Sequence, residues 1–210
     1  MKSLRSFVAS AVAVVAALVV STSAVSAADR PEVGQLAPDF TLTDTHGQAH
    51  ALSAFKGKVV VLEWVNHGCP FVMKHYNSGN MQKTQKAAAA DGVVWLSICS
   101  SASGKQGNLT PTDWIKTTNE KGAMPTAVLL DADGRVGRLY HATNTPQLFV
   151  INAAGVIVYS GAIDSIPSTK PEDVAKAQNY VLAALADVKA GRPVAMPVTK
   201  PYGCSVKYAD

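Results

Sequence analysis

Three apolar runs between residues 59 and 131 give the strongest signal in the hydrophobic pattern. They occupy residues 59–64, 93–99 and 126–131, and Glu63 interrupts the first. Continuous apolar runs of this length are typical of strands that are covered on both faces. Helical segments separate the runs, so the pattern predicts parallel strands with helices on both faces of one sheet.

Strand patterns on either side of these runs predict two hairpins. Residues 39–43 alternate apolar and polar positions, end at the turn sequence DTHG, and are followed by a short segment over 51–55. Residues 147–152 and 156–162 flank the turn at Ala154. The first pair predicts an extra N-terminal hairpin, and the second predicts an antiparallel edge of the sheet.

The predicted helices begin and end at proline, glycine and capping residues. The first begins at Pro70, has a kink at Ser78-Gly79 and ends at Gly92. Further helices are predicted over residues 112–121, 135–141 and 171–190. A proline-rich tail follows over residues 191–210, and its composition predicts a mobile segment.

The beginning of the chain has the composition of a secretory signal. Lys2 and Arg5 precede an apolar run over residues 7–20, and VSA at 25–27 is similar to a cleavage site. The run is shorter than the about 20 residues of a membrane span. Counting the apolar stretch on to Ala28 leaves an uncleaved anchor as the alternative.

We therefore expect a signal peptide over residues 1–27, one domain over 28–190, and the tail over 191–210. The mature protein would be periplasmic or secreted, without stable membrane association. Removing Lys2 and Arg5 lowers the formal net charge from +4 to +2, and no dense basic tract follows. The charge therefore gives no reason to expect nucleic-acid binding.

The chain has three cysteines, Cys69, Cys99 and Cys204. Disulfides persist outside the cytosol, and an odd number of cysteines favours one pair with a spare thiol. Cys69 lies between Gly68 and Pro70, where the start of a helix stabilises a thiolate. We interpret it as a redox thiol, the alternative being a small buried apolar residue.

This layout resembles the thioredoxin fold. The stretches GQLAPDFTLTD, FKGKVVVLEW, NTPQLFVIN and YSGAID are similar, in order, to the redoxin branch of the alkyl-hydroperoxide-reductase/thiol-specific-antioxidant (AhpC/TSA) superfamily. NHGCPFV together with PYGCSVKY resembles its peroxiredoxin-like members, which keep a first-position cysteine and a C-terminal Gly-Cys-Ser. The resemblance implies an α/β, thioredoxin-like fold with a central mixed sheet, helices on both faces and an extra N-terminal hairpin.

Two positions depart from the relatives of known activity. Val72 stands where a thioredoxin has its second cysteine, and Asn66 stands where a peroxiredoxin has a threonine that holds the peroxide. Neither activity therefore transfers directly.

The resemblance also implies roles for two residues near Cys69. Glu63 is similar to the buried thioredoxin acid that relays a proton, the alternatives being a solvent-facing residue or an ion pair with Lys58. Pro146 resembles the cis-proline that faces the active-site cysteine and aligns an extended substrate. Pro125 is the rival position.

A partner for Cys69 is expected elsewhere in the chain. The resemblance favours Cys204 in the tail as the resolving cysteine. Cys99 is the rival, because it ends a parallel strand at the same edge of the sheet as Cys69. His67 and His75 could pair with the thiolate or bind a soft metal, but we interpret them as exposed residues.

The sequence predicts an exported thiol–disulfide oxidoreductase or peroxiredoxin-like antioxidant protein. Cys69 would attack a protein disulfide, a sulfenic acid or a peroxide, Cys204 would resolve the intermediate, and a reducing partner would restore the thiols. No metal, nucleotide or other cofactor is called for. The alternative is a redox-inert module that binds extended peptides, for example as a chaperone.

Overall fold

The computed structural model describes residues 31–210, so the predicted signal peptide over 1–27 lies outside the described residues. The strands of the described part are β1 (Thr41–Asp44), β2 (Ala49–Ala51), β3 (Val60–Trp64), β4 (Val94–Cys99), β5 (Ala127–Leu130), β6 (Asn144–Thr145), β7 (Gln147–Ile151), β8 (Ile157–Gly161) and β9 (Cys204–Ser205). Its helices are α1 (Pro70–Asn77), α2 (Asn80–Ala90), α3 (Pro111–Glu120), α4 (Arg135–Leu139) and α5 (Tyr180–Lys189). None of these helices is long and apolar enough to cross a bilayer.

The core of the molecule is a mixed, seven-stranded sheet in the order β2-β1-β5-β4-β3-β7-β8. The three apolar runs form β3, β4 and β5, which are parallel neighbours, and β7 pairs antiparallel with β3. The N-terminal hairpin β1–β2 joins the sheet through β5, and the hairpin β7–β8 forms the opposite edge. The predicted mixed sheet and both predicted hairpins are confirmed.

The two faces of the sheet bury separate hydrophobic clusters. On one face, Val61 and Val65 of the β3 region pack with apolar side chains of α1, α2 and α5. On the other face, Leu62 and Trp64 pack against Val136 of α4. Covering a strand on both faces in this way accounts for its continuous apolar sequence, and it confirms the prediction of helices on both sides.

The helix boundaries differ from the predicted ones in two places. The predicted helix that begins at Pro70 is divided at Gly79, whose φ of 75° is left-handed, and α2 restarts immediately after it. The predicted helix over 171–190 is wrong in its first part. Residues Pro171–Lys176 form a 3-10 turn, and α5 begins at Tyr180, where the side chain of Asn179 accepts a hydrogen bond from the N–H of Leu182.

The tail, predicted to be mobile, is instead held against the domain by backbone hydrogen bonds. The N–H of Ser160 in β8 donates to the carbonyl of Pro197, and the N–H of Thr199 donates to the carbonyl of Ser160, each at 3.0 Å. Beyond β9, the N–H of Ala102 donates to the carbonyl of Lys207 at 2.7 Å. These bonds direct the tail along the edge strand and then across the carboxyl ends of the central strands.

Candidate active site

Cys69 caps the start of α1, as the sequence predicts. The loop after β3 places it there, with the N–H of Cys69 donating to the carbonyl of Asn66 at 2.9 Å and Pro70 as the first helical residue. The carbonyl of Cys69 accepts the N–H of Met73 and so begins the helical hydrogen bonds. Its side chain is 0% exposed, and a redox role therefore requires that neighbouring groups move away when a substrate enters.

The Thr145–Pro146 segment lies opposite Cys69. Its peptide bond is cis, which confirms the predicted cis-proline position over the rival Pro125. The carbonyl oxygen of Thr145 accepts a hydrogen bond from Cys69 Sγ at 3.1 Å. Strand β6, which ends at Thr145, therefore presents backbone directly to the thiol.

Cys204 lies beside both Cys69 and the Thr145–Pro146 segment. Strand β9 pairs antiparallel with β6, with Cys204 opposite Thr145, and the Sγ atoms of Cys69 and Cys204 lie 2.6 Å apart. The side-chain amide of Asn144 adds a 3.0 Å hydrogen bond to the carbonyl of Gly203. The structure thus brings together residues that are 135 positions apart in the sequence.

The residue before Cys204, Gly203, has no room for a side chain. Gly203 has a φ of 130°, and a Cβ atom there would lie 2.1 Å from the carbonyl oxygen of Thr145. Any side chain would therefore push β9 away from β6 and carry the Cys204 thiol away from Cys69. This contact explains the Gly-Cys order in the tail.

The environments of the two thiols make them unequal. Burial opposes ionisation of Cys69, but hydrogen bonds from the Cys204 thiol and from the Val72 N–H in the first turn of α1 lower its pKa below the ordinary value. Burial and the neighbouring Cys69 sulfur raise the pKa of Cys204 to about 11. Cys69 is therefore the thiol of the pair that ionises more readily.

Cys99 makes a separate contact. Its Sγ donates to the carbonyl of Gly107 at 3.2 Å, and burial raises the pKa of this thiol. Of the two candidate partners for Cys69, the structure places Cys204 in direct sulfur contact.

Glu63 is 0% exposed, so the interpretations as a solvent-facing residue or a partner of Lys58 are wrong. Its carboxylate accepts hydrogen bonds from Tyr76 Oη at 2.9 Å, from Trp95 Nε1 at 2.8 Å and from Ser97 Oγ at 2.8 Å. Burial raises its pKa, although these bonds oppose that shift. Within residues 31–210, none of its hydrogen bonds joins Glu63 to Cys69 or Cys204.

Asn66 holds the active-site loop in place. Its Oδ1 accepts from the N–H of Gly68 at 2.9 Å, and its Nδ2 donates to the carbonyl of Gln106 at 3.1 Å. The Asn66 amide therefore ties the active-site loop to the segment between β4 and α3.

The interpretation of the two histidines as exposed residues is wrong. The ring of His67 packs edge-on against Tyr76 at 4.6 Å, and burial together with the charge of Lys121 lowers its pKa to about 4. The His67 ring is therefore neutral at pH 7 and provides no cation for the Cys69 thiolate. His75 is 0% exposed and faces the tail.

Sequence reasoning missed a buried polar cluster next to Cys204. It comprises Lys74, His75, Asp164 and Tyr202, which converge from α1, the segment after β8 and the tail. A lysine and a histidine within a short helix give no local signal of burial. Only the partner Asp164, which is 90 residues from Lys74, explains their position.

Comparisons with known proteins agree with this architecture. The AhpC/TSA family profile matches residues 33–160. A curated relative from Geobacillus kaustophilus, the thiol-disulfide oxidoreductase ResA, is 30% identical over 127 residues, which cover 55% of this chain and 72% of the relative.

Two crystal structures match most of the chain. A hypothetical protein of Sinorhizobium meliloti 1021 superposes with a TM-score of 0.70 at 22% identity, covering 86% of this chain and 97% of that one. An uncharacterized conserved protein of Geobacillus kaustophilus gives 0.68 at 26% identity, covering 86% and 94%. The profile match spans more than half of the sequence and includes Cys69 and the cis-proline, and the chain therefore belongs to the AhpC/TSA family, with a thioredoxin-like fold.

Proposed function

We propose that this protein is an exported thiol–disulfide oxidoreductase in which Cys69 is the attacking thiol and Cys204 the resolving thiol. The observation that carries the proposal is the 2.6 Å contact between the two sulfurs at the start of α1. The likeness to the oxidoreductase ResA supports the reaction class, and the composition of residues 1–27 supports export.

The chemistry follows from the unequal thiols. The Cys69 thiolate attacks one sulfur of a substrate disulfide, so a Cys69–substrate bond forms and the second substrate sulfur leaves as a thiolate that takes up a proton. Cys204 then loses its proton and attacks Cys69 Sγ, which releases the first substrate sulfur as a thiol. The substrate disulfide has gained two electrons, and the protein holds a Cys69–Cys204 disulfide that an external dithiol must reduce.

Pro146 and the neighbouring backbone are proposed to align the substrate. The carbonyl of Thr145 already contacts Cys69 Sγ, and β9 pairs with the same strand. A substrate strand that replaces β9 would find the same backbone partners beside the attacking thiol. Because Cys69 is buried, β9 must move away before the substrate sulfur can reach it.

The redox-inert alternative depends on the lack of a second thiol near Cys69. Cys204 lies in contact with Cys69, which supports the redox function over a peptide-binding or chaperone module. The two functions differ in one result: a binding module keeps its partner affinity after Cys69→Ser and has no thiol-dependent rate.

We expect disulfide exchange to exceed peroxide reduction. A peroxide pocket needs donors that are aimed at the leaving oxygen, whereas Asn66 stands in place of the threonine that holds the peroxide, and its amide oxygen and one amide N–H are engaged by Gly68 and Gln106. The test compares the rates at which glutathione disulfide and hydrogen peroxide oxidise the reduced protein, each followed by loss of the protein's own thiols after acid quenching and removal of small molecules. A faster reaction with hydrogen peroxide would contradict this preference and favour the antioxidant role.

Glu63 is proposed to balance the protons of the thiol pair without touching either sulfur. It lies on the face of the sheet that also buries Cys69, and its raised pKa keeps the neutral acid to a higher pH than in an exposed glutamate. The cluster of donors around it fixes the carboxyl group between α1 and β4.

Glu63→Gln separates this proton role from a structural one. A raised pKa in the folded state means that the wild-type protein loses stability as pH rises through that pKa, and the glutamine variant should not show this loss in urea unfolding. If Glu63 also serves the thiols, the rate of glutathione-disulfide reduction should lose one inflection of its pH profile. If the wild-type protein and the Glu63→Gln variant reduce glutathione disulfide with identical pH profiles, Glu63 has a structural role alone.

A further inference from the structure

The buried polar cluster links the two cysteines through the body of the protein. Lys74 and His75 lie on α1, which Cys69 caps, and Tyr202 lies two residues before Cys204. Lys74 Nζ contacts Asp164 Oδ2 at 3.0 Å and the carbonyl of Ile166 at 2.7 Å. An ammonium group at 1% exposure is retained only with partners of this kind.

Side chains of the cluster form a chain of hydrogen bonds in which each donates to the next, and the chain ends at the carboxylate of Asp164. The side-chain amide of Asn80 donates to His75 Nδ1 at 2.8 Å, which leaves the proton of the neutral ring on Nε2. His75 Nε2 then donates to Tyr202 Oη at 3.1 Å, and the Tyr202 hydroxyl donates to Asp164 Oδ1. The Tyr202 hydroxyl therefore connects the tail to α1 through His75 and to the segment after β8 through Asp164.

Packing fixes the Tyr202 ring as well. It lies edge-on to Phe71 with ring centres 5.8 Å apart, and Lys74 Nζ is 5.7 Å from the ring centre. Phe71 is two residues after Cys69. Tyr202 thus anchors the tail to the same turn of helix that presents the attacking thiol.

We propose that Tyr202 is a positioning residue that holds Cys204 against Cys69 and thereby sets the stability of the Cys69–Cys204 disulfide. The proposal rests on the proposed function, since it assumes that the two thiols form a reversible pair. With the tail anchored, little freedom is lost when the disulfide closes. Loosening the anchor gives the dithiol form more freedom but leaves the disulfide form held by its covalent bond, so the disulfide becomes less stable.

The test is the equilibrium of the protein comprising residues 28–210 with glutathione and glutathione disulfide. The fraction of Cys69–Cys204 disulfide is read by acid quenching and mass spectrometry. Tyr202→Phe keeps the ring and removes the hydroxyl. We expect its disulfide equilibrium constant to fall about ten-fold, the loss of one hydrogen bond to a charged group, which is about 30 mV in a two-electron couple. The Cys69–glutathione mixed disulfide should become more abundant at the same time.

Tyr140→Phe is the matched control, because the Tyr140 hydroxyl donates to the carbonyl of Pro38 on the other face of the sheet. It should change thermal stability without changing the disulfide equilibrium. If Tyr202→Phe does not fold, His75→Gln tests the same chain of bonds from the helix side, with a smaller shift in the same direction.

An unchanged equilibrium in Tyr202→Phe, a more stable disulfide, or an equal shift in Tyr140→Phe would overturn the proposal. If the wild-type protein forms no Cys69–Cys204 disulfide at any glutathione ratio, the proposed function itself fails. The two failures are distinguishable. If the wild-type protein forms the Cys69–Cys204 disulfide as the glutathione ratio changes and the Tyr202→Phe variant behaves identically, only the positioning role fails.

Discussion

Cys69→Ser is expected to lower the rate of glutathione-disulfide reduction to the rate without protein. The reaction needs a thiolate, and the lowered pKa of Cys69 makes it the favoured one of the three at neutral pH. A serine hydroxyl fits the same space but does not ionise near neutral pH. The measurement is the release of glutathione from glutathione disulfide, with a dithiol present to regenerate the protein.

Cys99→Ser is the matched control for this result. Cys99 is buried, and its thiol bonds to the carbonyl of Gly107 and to neither sulfur of the pair. The control should therefore retain the wild-type rate. A Cys69→Ser variant that keeps thiol-dependent turnover, or a Cys99→Ser variant that loses it, would remove Cys69 from its assigned role.

The second large effect is expected from Cys204→Ser, which should stop the reaction halfway. Cys69 can still attack the disulfide, but no second thiol is in contact to displace the bound glutathione. Without added dithiol, the variant should accumulate the Cys69–glutathione mixed disulfide and release one glutathione per protein, whereas the wild-type pair releases two. Intact mass measured under non-reducing conditions detects the adduct.

Oxidants should reveal the same defect in another way. Without Cys204, a Cys69 sulfenic acid has no adjacent thiol to form a disulfide, so it should proceed to irreversible oxidation. A Cys204→Ser protein that instead forms a Cys69–Cys99 disulfide would show that Cys99 can resolve Cys69 and would contradict this expectation.

Local sequence accounts for the part of the site that is built from neighbouring residues. The apolar runs 59–64 and 93–99 fix the central strands because both faces of these strands are covered. Cys69 before Pro70 fixes the start of α1, since a proline without an N–H suits the first helical turn. The cis position of Pro146 came from family resemblance, because local sequence gives little preference for a cis bond.

The contacts made by the tail could not be derived from periodicity. Resemblance pointed to Cys204 as the partner, but its position depends on hydrogen bonds of Thr199 and β9 with distant strands. The proline-rich composition of the tail predicts mobility. Composition does not reveal backbone hydrogen bonds between segments that are far apart in the chain. The burial of Lys74 was hidden for the same reason, because its partner Asp164 lies in another element.

The helix predicted over residues 171–190 shows a limit of predicting helix length from apolar spacing. Apolar residues at helical spacing continue through Val174 and Ala177, yet the backbone becomes extended at Ala177, and α5 restarts at Tyr180 with its own cap. Side-chain spacing alone therefore overestimated the length of this helix. The cap at Asn179 was a readable signal.

The central claim is that Cys69 and Cys204 form a reversible dithiol–disulfide pair. Peptide mapping of the protein tests it most directly, after mild oxidation with glutathione disulfide and digestion under non-reducing conditions. We predict a peptide pair linked through Cys69 and Cys204, absent after reduction, with Cys99 recovered as a free thiol. Recovery of Cys204 as a free thiol while Cys69 is linked to Cys99 would contradict the account.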